Sequence, residues 1–144
     1  MRISFRLNGK LVQTDAAPFQ PLDVILREIF DVQSVPSNCS AGDCGICTVS
    51  LNNRAHSACM VAALHADQAE IWTAEGLESH PDPRAAAILK AKEVCEEDAC
   101  GACLPAQAMT ALTEDSCAAS MVDVLCRCGV WHAFMERIEE GTGD

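Results

Sequence analysis

The stretch that decides the fold is CSAGDCGIC, residues 39–47, which places three cysteines within nine residues. A fourth cysteine, Cys59, follows after eleven intervening residues. Further along, the chain contains Cys100-x2-Cys103-x22-Cys126-x-Cys128. Eight of the ten cysteines therefore form two sets of four: the first site (Cys39, Cys44, Cys47 and Cys59) and the second site (Cys100, Cys103, Cys126 and Cys128).

Four thiolates are a complete ligand set for a metal centre. The C-x4-C-x2-C start of the first site is the plant-type spacing for a [2Fe–2S] cluster. Gly42 and Gly45 stand where a backbone must wrap closely around a cluster and direct its N–H groups at sulfur. Two such sites predict an electron relay with two [2Fe–2S] clusters.

Disulfides and structural zinc are the competing interpretations of so many cysteines. Disulfide frameworks belong to secreted chains, and the opening MRISFR has no apolar signal-peptide core before Asn8-Gly9. Zinc also takes four thiolates and C-x2-C pairs, so the second site by itself is ambiguous. The spacing of the first site favours iron, and zinc stays open as the alternative.

The length of 144 residues allows one domain or two small ones, and the cysteine groups split the chain near its middle. We expect two domains, residues 1–75 and 76–144. Each is small for a purely hydrophobic core, so metal ligation would supply the missing folding energy. Loss of the clusters should then unfold the chain.

The net charge of −11 makes nucleic acid and anionic membrane surfaces poor partners. The excess acid is interpreted as a solvated face rather than a docking patch. No apolar run approaches the roughly 20 residues that cross a bilayer. Without a secretory or twin-arginine leader, the expected compartment is the cytoplasm.

In residues 1–75, apolar and polar residues alternate as they do in β-strands, and one helix is predicted between these strands. The pattern predicts a hairpin with a strand at residues 3–7, a turn at Asn8-Gly9 and a return strand from Leu11. A core helix is predicted over residues 22–30. Its apolar face comprises Leu22, Ile25, Leu26 and Ile29. Further strands are predicted at residues 48–51, 54–56 and 69–73, with a turn at Asn52-Asn53.

Residues 76–144 are composed for helices, after a linker at residues 74–83. Helices are predicted at residues 84–92, 106–112, 116–125 and 132–140, with Pro105 at a first helical position. Both cysteine pairs would lie at the ends of these four helices. The whole chain is thus of the α+β class.

A ferredoxin-like half followed by a helical half with its own C-x2-C and C-x-C pairs resembles the iron–sulfur small subunit of the molybdenum hydroxylase (xanthine oxidase) family. The resemblance covers nearly the whole chain, and the second domain is divergent. The motifs that carry it are CSAGDCGICTVSL (39–51) with Cys59, WTAEGLESHP (72–81), CGAC (100–103) and CRC (126–128).

The resemblance implies an N-terminal β-grasp plant-type ferredoxin domain and an all-α four-helix-bundle [2Fe–2S] domain. It implies an electron-transfer subunit of a multi-subunit oxidoreductase. Two [2Fe–2S] clusters would relay electrons singly from a molybdopterin centre in a large subunit towards a flavin (FAD) subunit or another acceptor. The chain itself has no substrate site and no catalytic residue. A free-standing two-cluster ferredoxin that shuttles between partners is the alternative.

Carried over by residue, the resemblance places the second site nearer the pterin and the first site farther from it. Cys128 would lie closest to the pterin. Arg127, between two ligands, would donate to cluster sulfur, satisfy helix-end carbonyls or contact the partner. The chain departs from the family at Ala99, where a pterin-binding glutamine is usual, and at GVW (129–131), which replaces Thr-Gly-Tyr.

Two cysteines are left over. Cys117 and Cys95 are interpreted as small buried hydrophobes. Cys95 offers a second hypothesis, because CEEDACGAC (95–103) repeats the C-x4-C-x2-C spacing and would permit an exchange of ligands. The four histidines show no telling spacing to a nucleophile or a carboxylate and are not catalytic candidates.

Overall fold

The computed structural model of the chain describes residues 1–36, 41–42, 44–97, 103–113, 124 and 128–142. Five strands form one sheet in the order β2-β1-β5-β3-β4. They are β1 (Arg2–Leu7), β2 (Lys10–Asp15), β3 (Thr48–Leu51), β4 (Arg54–Ser57) and β5 (Glu70–Trp72). β1 and β5 are parallel, and the other neighbours are antiparallel.

Two tight turns set the register of the two hairpins. Asn8 and Gly9 join β1 to β2 with φ angles of 52° and 87°, and Asn52 and Asn53 join β3 to β4 with 52° and 68°. Positive φ at both central residues is typical of the two-residue turns that match the twist of antiparallel strands, and asparagine and glycine tolerate it best. Both predicted turns are confirmed.

Short helices cover the inner face of the sheet. Helix α1 (Leu22–Glu28) packs against the 3-10 turn Ala58–Met60 and against α2 (Ala63–Ala66), which in turn packs against β1. The predicted helix over residues 22–30 is therefore two residues too long. Ile29 follows the last helical residue and is 45% exposed, so its placement on the buried face was wrong.

Three longer helices follow in the described part of the chain, after a 3-10 turn at Ala74–Gly76. They are α3 (Arg84–Cys95), α4 (Leu104–Thr113) and α5 (Trp131–Thr142), and α3 packs against both others. Helix α4 begins at Leu104, which places Pro105 one residue later than predicted, still within the first turn. The helix predicted at residues 116–125 lies outside the described residues, apart from Val124.

The buried apolar side chains form two clusters along the chain. One lies between the sheet and α1 and includes Ile3, Phe5 and Ile71. The other begins at Ala74 and continues to Ile138 among α3, α4 and α5. Helix α4 also packs against β3, which joins the helices to the sheet. No helix in the described part of the chain is long and apolar enough to cross a membrane.

Candidate metal centres

The first site lies at the open end of the β3–β4 hairpin. Cys44 and Cys47 are buried in the loop that leads into β3, and half-buried Cys59 lies in the 3-10 turn that follows β4. Antiparallel pairing of Thr48 with Ser57 brings these two segments together. The hairpin therefore converts a separation of twelve positions into a contact between Cys47 and Cys59.

Backbone N–H groups already point at two of these sulfurs. The N–H of Cys59 donates to the Sγ of Cys47 at 3.4 Å, and the N–H of Ile46 donates to the Sγ of Cys44 at 3.5 Å. Hydrogen bonds of this kind stabilise the anionic form of sulfur, whether it is a free thiolate or a metal ligand. The loop is thus arranged for negative charge at its sulfur atoms.

Two glycines allow this loop to close. Gly42 and Gly45 have φ angles of 77° and 70°, a region that side chains disfavour. A Cβ at Gly42 would also lie 2.7 Å from the Cγ of Met60, so the exposed Met60 side chain would have to move to admit one. The two glycines singled out from the sequence both meet a real backbone requirement.

The Cys47 side chain lies in an environment that disfavours an isolated thiolate. Burial raises the pKa of the Cys47 thiol to about 12, and the adjacent Cys59 and the more distant Asp23 add to the rise. The N–H of Cys59 acts in the opposite direction without offsetting it. A buried thiolate here needs a compensating positive charge, which a bound metal supplies.

In the second site the described sulfurs lie at the separation expected for shared ligation. Cys103 is 1% exposed, Cys128 is half-buried, and their Sγ atoms are 3.7 Å apart. A disulfide would bring them to about 2.05 Å. Two thiolates about 2.3 Å from one tetrahedral metal would be about 3.8 Å apart. The pair therefore fits a common metal atom.

Only part of each ligand set belongs to the described residues. Cys39, Cys100 and Cys126 lie outside them, as do Ala99 and Arg127. Within the described ranges no three cysteine, histidine or acidic side chains come together as a site for a single metal ion. A two-iron cluster spreads its four ligands over two metal atoms. The ligand geometry that can be tested is therefore pairwise, and the Cys103–Cys128 pair fits it.

Comparison with known proteins gives the family. No protein-family model matches the chain. A nicotinate dehydrogenase small FeS subunit from Eubacterium barkeri is 33% identical, across 88% of this chain and 85% of that relative. A nicotinate dehydrogenase component from Pseudomonas putida is 30% identical over the same shares. This chain belongs to the iron–sulfur small subunits of the molybdenum hydroxylase family.

Solved structures agree with this family of iron–sulfur subunits. Quinoline 2-oxidoreductase from Pseudomonas putida 86 matches 96% of this chain and 90% of its own, with a TM-score of 0.80 and 26% identity. The aldehyde oxidoreductase from Desulfovibrio gigas matches 99% of this chain with a TM-score of 0.81. At 22% identity and 17% of its own chain, the latter shows the shared fold alone.

Membership of the family confirms the predicted kind of function. The iron–sulfur subunit is an electron-transfer component of a multi-subunit oxidoreductase, and the free-standing ferredoxin is the less favoured interpretation. An aldehyde oxidoreductase iron–sulfur-binding subunit from Escherichia coli is 29% identical over the whole of this chain and 72% of that relative. The relatives are named as subunits, which implies larger partner proteins.

Cys95 and Cys117 are the two cysteines that belong to neither site. Cys95 is the last residue of α3 and is buried in the apolar cluster of the helices, whereas Cys117 lies outside the described residues. No disulfide joins any of the six described cysteines.

The ring of His80 packs edge-on to the ring of Trp72, with 4.4 Å between the two ring centroids. Burial lowers the pKa of His80.

One polar network near the first site has no signal in the sequence. The Glu75 carboxylate accepts the N–H groups of Gln33 and Ser34 at 2.9 and 3.1 Å, and also the hydroxyls of Ser34 and Thr73. Thr73 is held in turn by two hydrogen bonds to the Asn8 side chain, of 2.8 and 2.9 Å. The network ties the segment before the cysteine loop to the residues that lead into the helices.

Proposed function

We propose that this protein relays electrons one at a time from a molybdopterin centre in a large subunit to a flavin or another acceptor, through two [2Fe–2S] clusters. One structural relationship supports the relay above all. Strand β3 begins directly after Cys47, helix α4 begins directly after Cys103, and α4 packs against β3. The two elements that directly follow a cysteine of each site therefore pack against each other.

We assign the ligands by set. Cys39, Cys44, Cys47 and Cys59 hold the first cluster, and Cys100, Cys103, Cys126 and Cys128 hold the second. The N–H groups directed at Cys44 and Cys47 support the first assignment, and the 3.7 Å sulfur pair supports the second. We infer that Cys103 and Cys128 share one iron, which leaves Cys100 and Cys126 for the other.

The finer architecture follows from the same proposal. Residues 1–75 form a β-grasp ferredoxin-like domain, and residues 76–144 form a helical domain; the fourth helix expected at residues 116–125 lies outside the described residues, apart from Val124. The division into two apolar clusters, with the change between Ile71 and Ala74, supports this boundary.

The protein's own residues perform three tasks in the relay. They supply thiolates, they direct N–H groups at sulfur to stabilise the reduced state, and they exclude water, since Cys44, Cys47 and Cys103 are buried. When bound, each cluster accepts and releases a single electron, which divides a two-electron oxidation into one-electron steps. The oxidation of substrate belongs to the partner.

We propose that the large partner docks beside the second site. Cys128 is half-buried, so this ligand lies nearer the surface than Cys103. Arg127, between Cys126 and Cys128, would then contact either the cluster or the partner. The relatives named as nicotinate and aldehyde enzymes indicate heteroarenes or aldehydes as substrates of the whole complex. The net charge of −11 makes nucleic acid a poor partner in this proposal.

The experiment that tests this function is metal analysis of the complex. Iron, acid-labile sulfide, zinc and molybdenum are measured per chain after anaerobic co-purification with a tag on this subunit. Four irons, together with molybdenum and a large partner, are expected. Four irons on a stable chain without molybdenum would instead establish the free-standing ferredoxin. Zinc in place of iron would overturn both.

A further inference from the structure

Gln107 in α4 is a buried amide with no described partner. Its side chain is 0% exposed, and neither Nε2 nor Oε1 has a hydrogen-bond partner among the described residues. Leaving a buried polar group unpaired costs about 1–3 kcal/mol, and native proteins rarely do so. We therefore expect the folded subunit to offer this amide a partner that the described side chains and backbone do not provide, including an acceptor for its Nε2.

The position of Gln107 indicates where that acceptor lies. Its backbone N–H donates to the carbonyl oxygen of Cys103 at 3.0 Å, so Gln107 stands one helical turn after a ligand of the second site. Residues separated by four positions share one face of a helix, and helical side chains lean towards the helix N-terminus. Helix geometry therefore directs the Gln107 side chain towards the end of α4 that adjoins Cys103, a residue that is itself 1% exposed.

Other polar side chains of α4 do not need such a partner. The hydroxyl of Thr110 donates to the carbonyl oxygens of Ala106 and Gln107 at 3.0 and 2.9 Å. The hydroxyl of Thr113 donates in the same way to Met109 and Thr110. Among the described residues of this helix, Gln107 alone carries side-chain donors that are uncommitted.

We propose that the side-chain N–H of Gln107 donates a hydrogen bond to a sulfur of the second cluster and raises its reduction potential. The inference rests on the proposed function, since it requires a cluster at Cys103 and Cys128. Cluster sulfur is an acceptor, and it accepts more strongly in the reduced state, which carries one more negative charge. Gln107 is thus a positioning and tuning residue of the second cluster.

The test is a redox titration of the intact complex that carries Gln107→Met. Methionine has nearly the same length and fills the same space, but it donates no hydrogen bond. Loss of the donor should lower the second cluster's potential, shifting its oxidised-to-reduced ratio about tenfold, or about 59 mV for one electron. The potential of the first cluster should not change. Thr110→Val, one turn along α4, is the matched control and should shift neither cluster.

Iron and sulfide analysis distinguishes a failure of this inference from a failure of the proposed function. If Gln107→Met retains four irons and the potential of the second cluster is unchanged, Gln107 is a structural amide and the inference fails. Equal shifts of both clusters would also overturn it. If the chain holds no iron at all, the relay itself fails, irrespective of Gln107.

A measurement on the unaltered protein covers the case in which the variant does not assemble. The sequence has five glutamines, and Gln107 is the only one after residue 76. Labelling glutamine side-chain amides with ¹⁵N therefore marks one nitrogen in the helical half. Pulsed EPR of the reduced second cluster should detect coupling to that nitrogen. Absence of any coupling in a fully iron-loaded complex would overturn the proposal.

Discussion

The backbone N–H of Cys59 donates to the Sγ of Cys47 at 3.4 Å, although these residues lie on opposite sides of the β3–β4 hairpin. The carbonyl oxygen of Cys47 also accepts the N–H of Ala58, at 3.2 Å. Strand pairing thus holds Cys59, the last cysteine of the first site, against Cys47, the third. A sulfur that is fixed by the sheet in this way should not be replaceable by another cysteine.

Replacing Cys59 with alanine should therefore remove the first cluster alone. The expected result is two irons per chain in place of four, because the remaining thiolates cannot complete a four-cysteine site. Iron and sulfide analysis gives the count, and EPR of the reduced protein identifies the cluster that remains. Retention of four irons would show that another residue takes over as a ligand.

Cys95→Ala is the matched control for that experiment. Cys95 is buried in the apolar cluster of the helices, so alanine should leave four irons and cost about 1 kcal/mol of stability or somewhat more. A loss of two irons would favour the other hypothesis for this residue, in which Cys95 exchanges with a ligand of the second site.

The ionised Glu75 carboxylate should protect the backbone amides of Gln33 and Ser34 from hydrogen exchange. This protection should depend on pH. Burial alone would raise the pKa of Glu75, but hydrogen bonds from Ser34 and Thr73 outweigh it and hold the pKa below the usual 4.5. The ionised carboxylate therefore contributes stability above about pH 4.5, and that contribution is lost as the pH falls through the lower folded value.

Hydrogen exchange of the Gln33 and Ser34 amides measures that protection. In Glu75→Ala both amides should exchange about fivefold faster at pH 7, as expected for the loss of about 1 kcal/mol of hydrogen bonding. The difference from the unaltered protein should shrink towards pH 4. Glu78→Ala, at an exposed position three residues on, is the control and should not change either amide. Equal exchange in all three proteins at pH 7 would show that Glu75 does not hold this segment.

Gly76 occupies a position with no space for a side chain. A Cβ there would meet the Oδ1 of Asn8 and would lie 2.7 Å from the Cε3 of Trp72. Asn8 cannot yield cheaply, because its amide exchanges two hydrogen bonds with Thr73. Gly76→Ala should therefore destabilise the fold by about 2 kcal/mol, which is usual for overpacking.

A thermal melt of the iron-loaded protein measures the effect of Gly76→Ala. The midpoint should fall by roughly 5–10 °C. Glu78→Ala tests for a general sensitivity of the same linker and should melt within about a degree of the unaltered protein. An unchanged midpoint in Gly76→Ala would mean that the linker relaxes without strain.

Removal of the metal should unfold the helical half before the sheet. The second site's described cysteines lie at the ends of the helices, whereas the five paired strands are also joined by hydrogen bonds between neighbours and pack Ile3, Phe5 and Ile71 in one core. Anaerobic chelation followed by circular dichroism should show loss of helix signal while strand signal persists. A metal-free chain that melts cooperatively with its full helix content would contradict this expectation.

Local patterns in the sequence predicted most of the sheet. The turns at Asn8-Gly9 and Asn52-Asn53 carry their own conformational preference, and β3 was predicted with its observed bounds. Helix α2 was missed because Ala63–Ala66 is a single turn that tertiary contacts stabilise. The end of α1 was misplaced because apolar spacing alone does not show where a helix stops.

The sequence predicted only part of each candidate site. Cysteine count and type indicated metal centres, and the C-x4-C-x2-C spacing of the first site favoured iron over zinc. The N–H of Cys59 at Cys47 and the carboxylate of Glu75 at Ser34 are long-range contacts, and no local pattern encodes them. Gln107 has a similar explanation, since the apolar stretch around it gives no sign that its amide is buried without a described partner.

The contact between β3 and α4 would make the spacing of the two proposed clusters a property of a single polypeptide. Tunnelling between them would then proceed at the same rate whichever larger protein is bound. Natural selection could then replace the substrate-oxidising subunit without any change to the distance between the clusters in this subunit. Relatives of this chain bear the names of nicotinate, aldehyde and xanthine enzymes. An electron-transfer subunit that sets its own cluster spacing would permit this diversity.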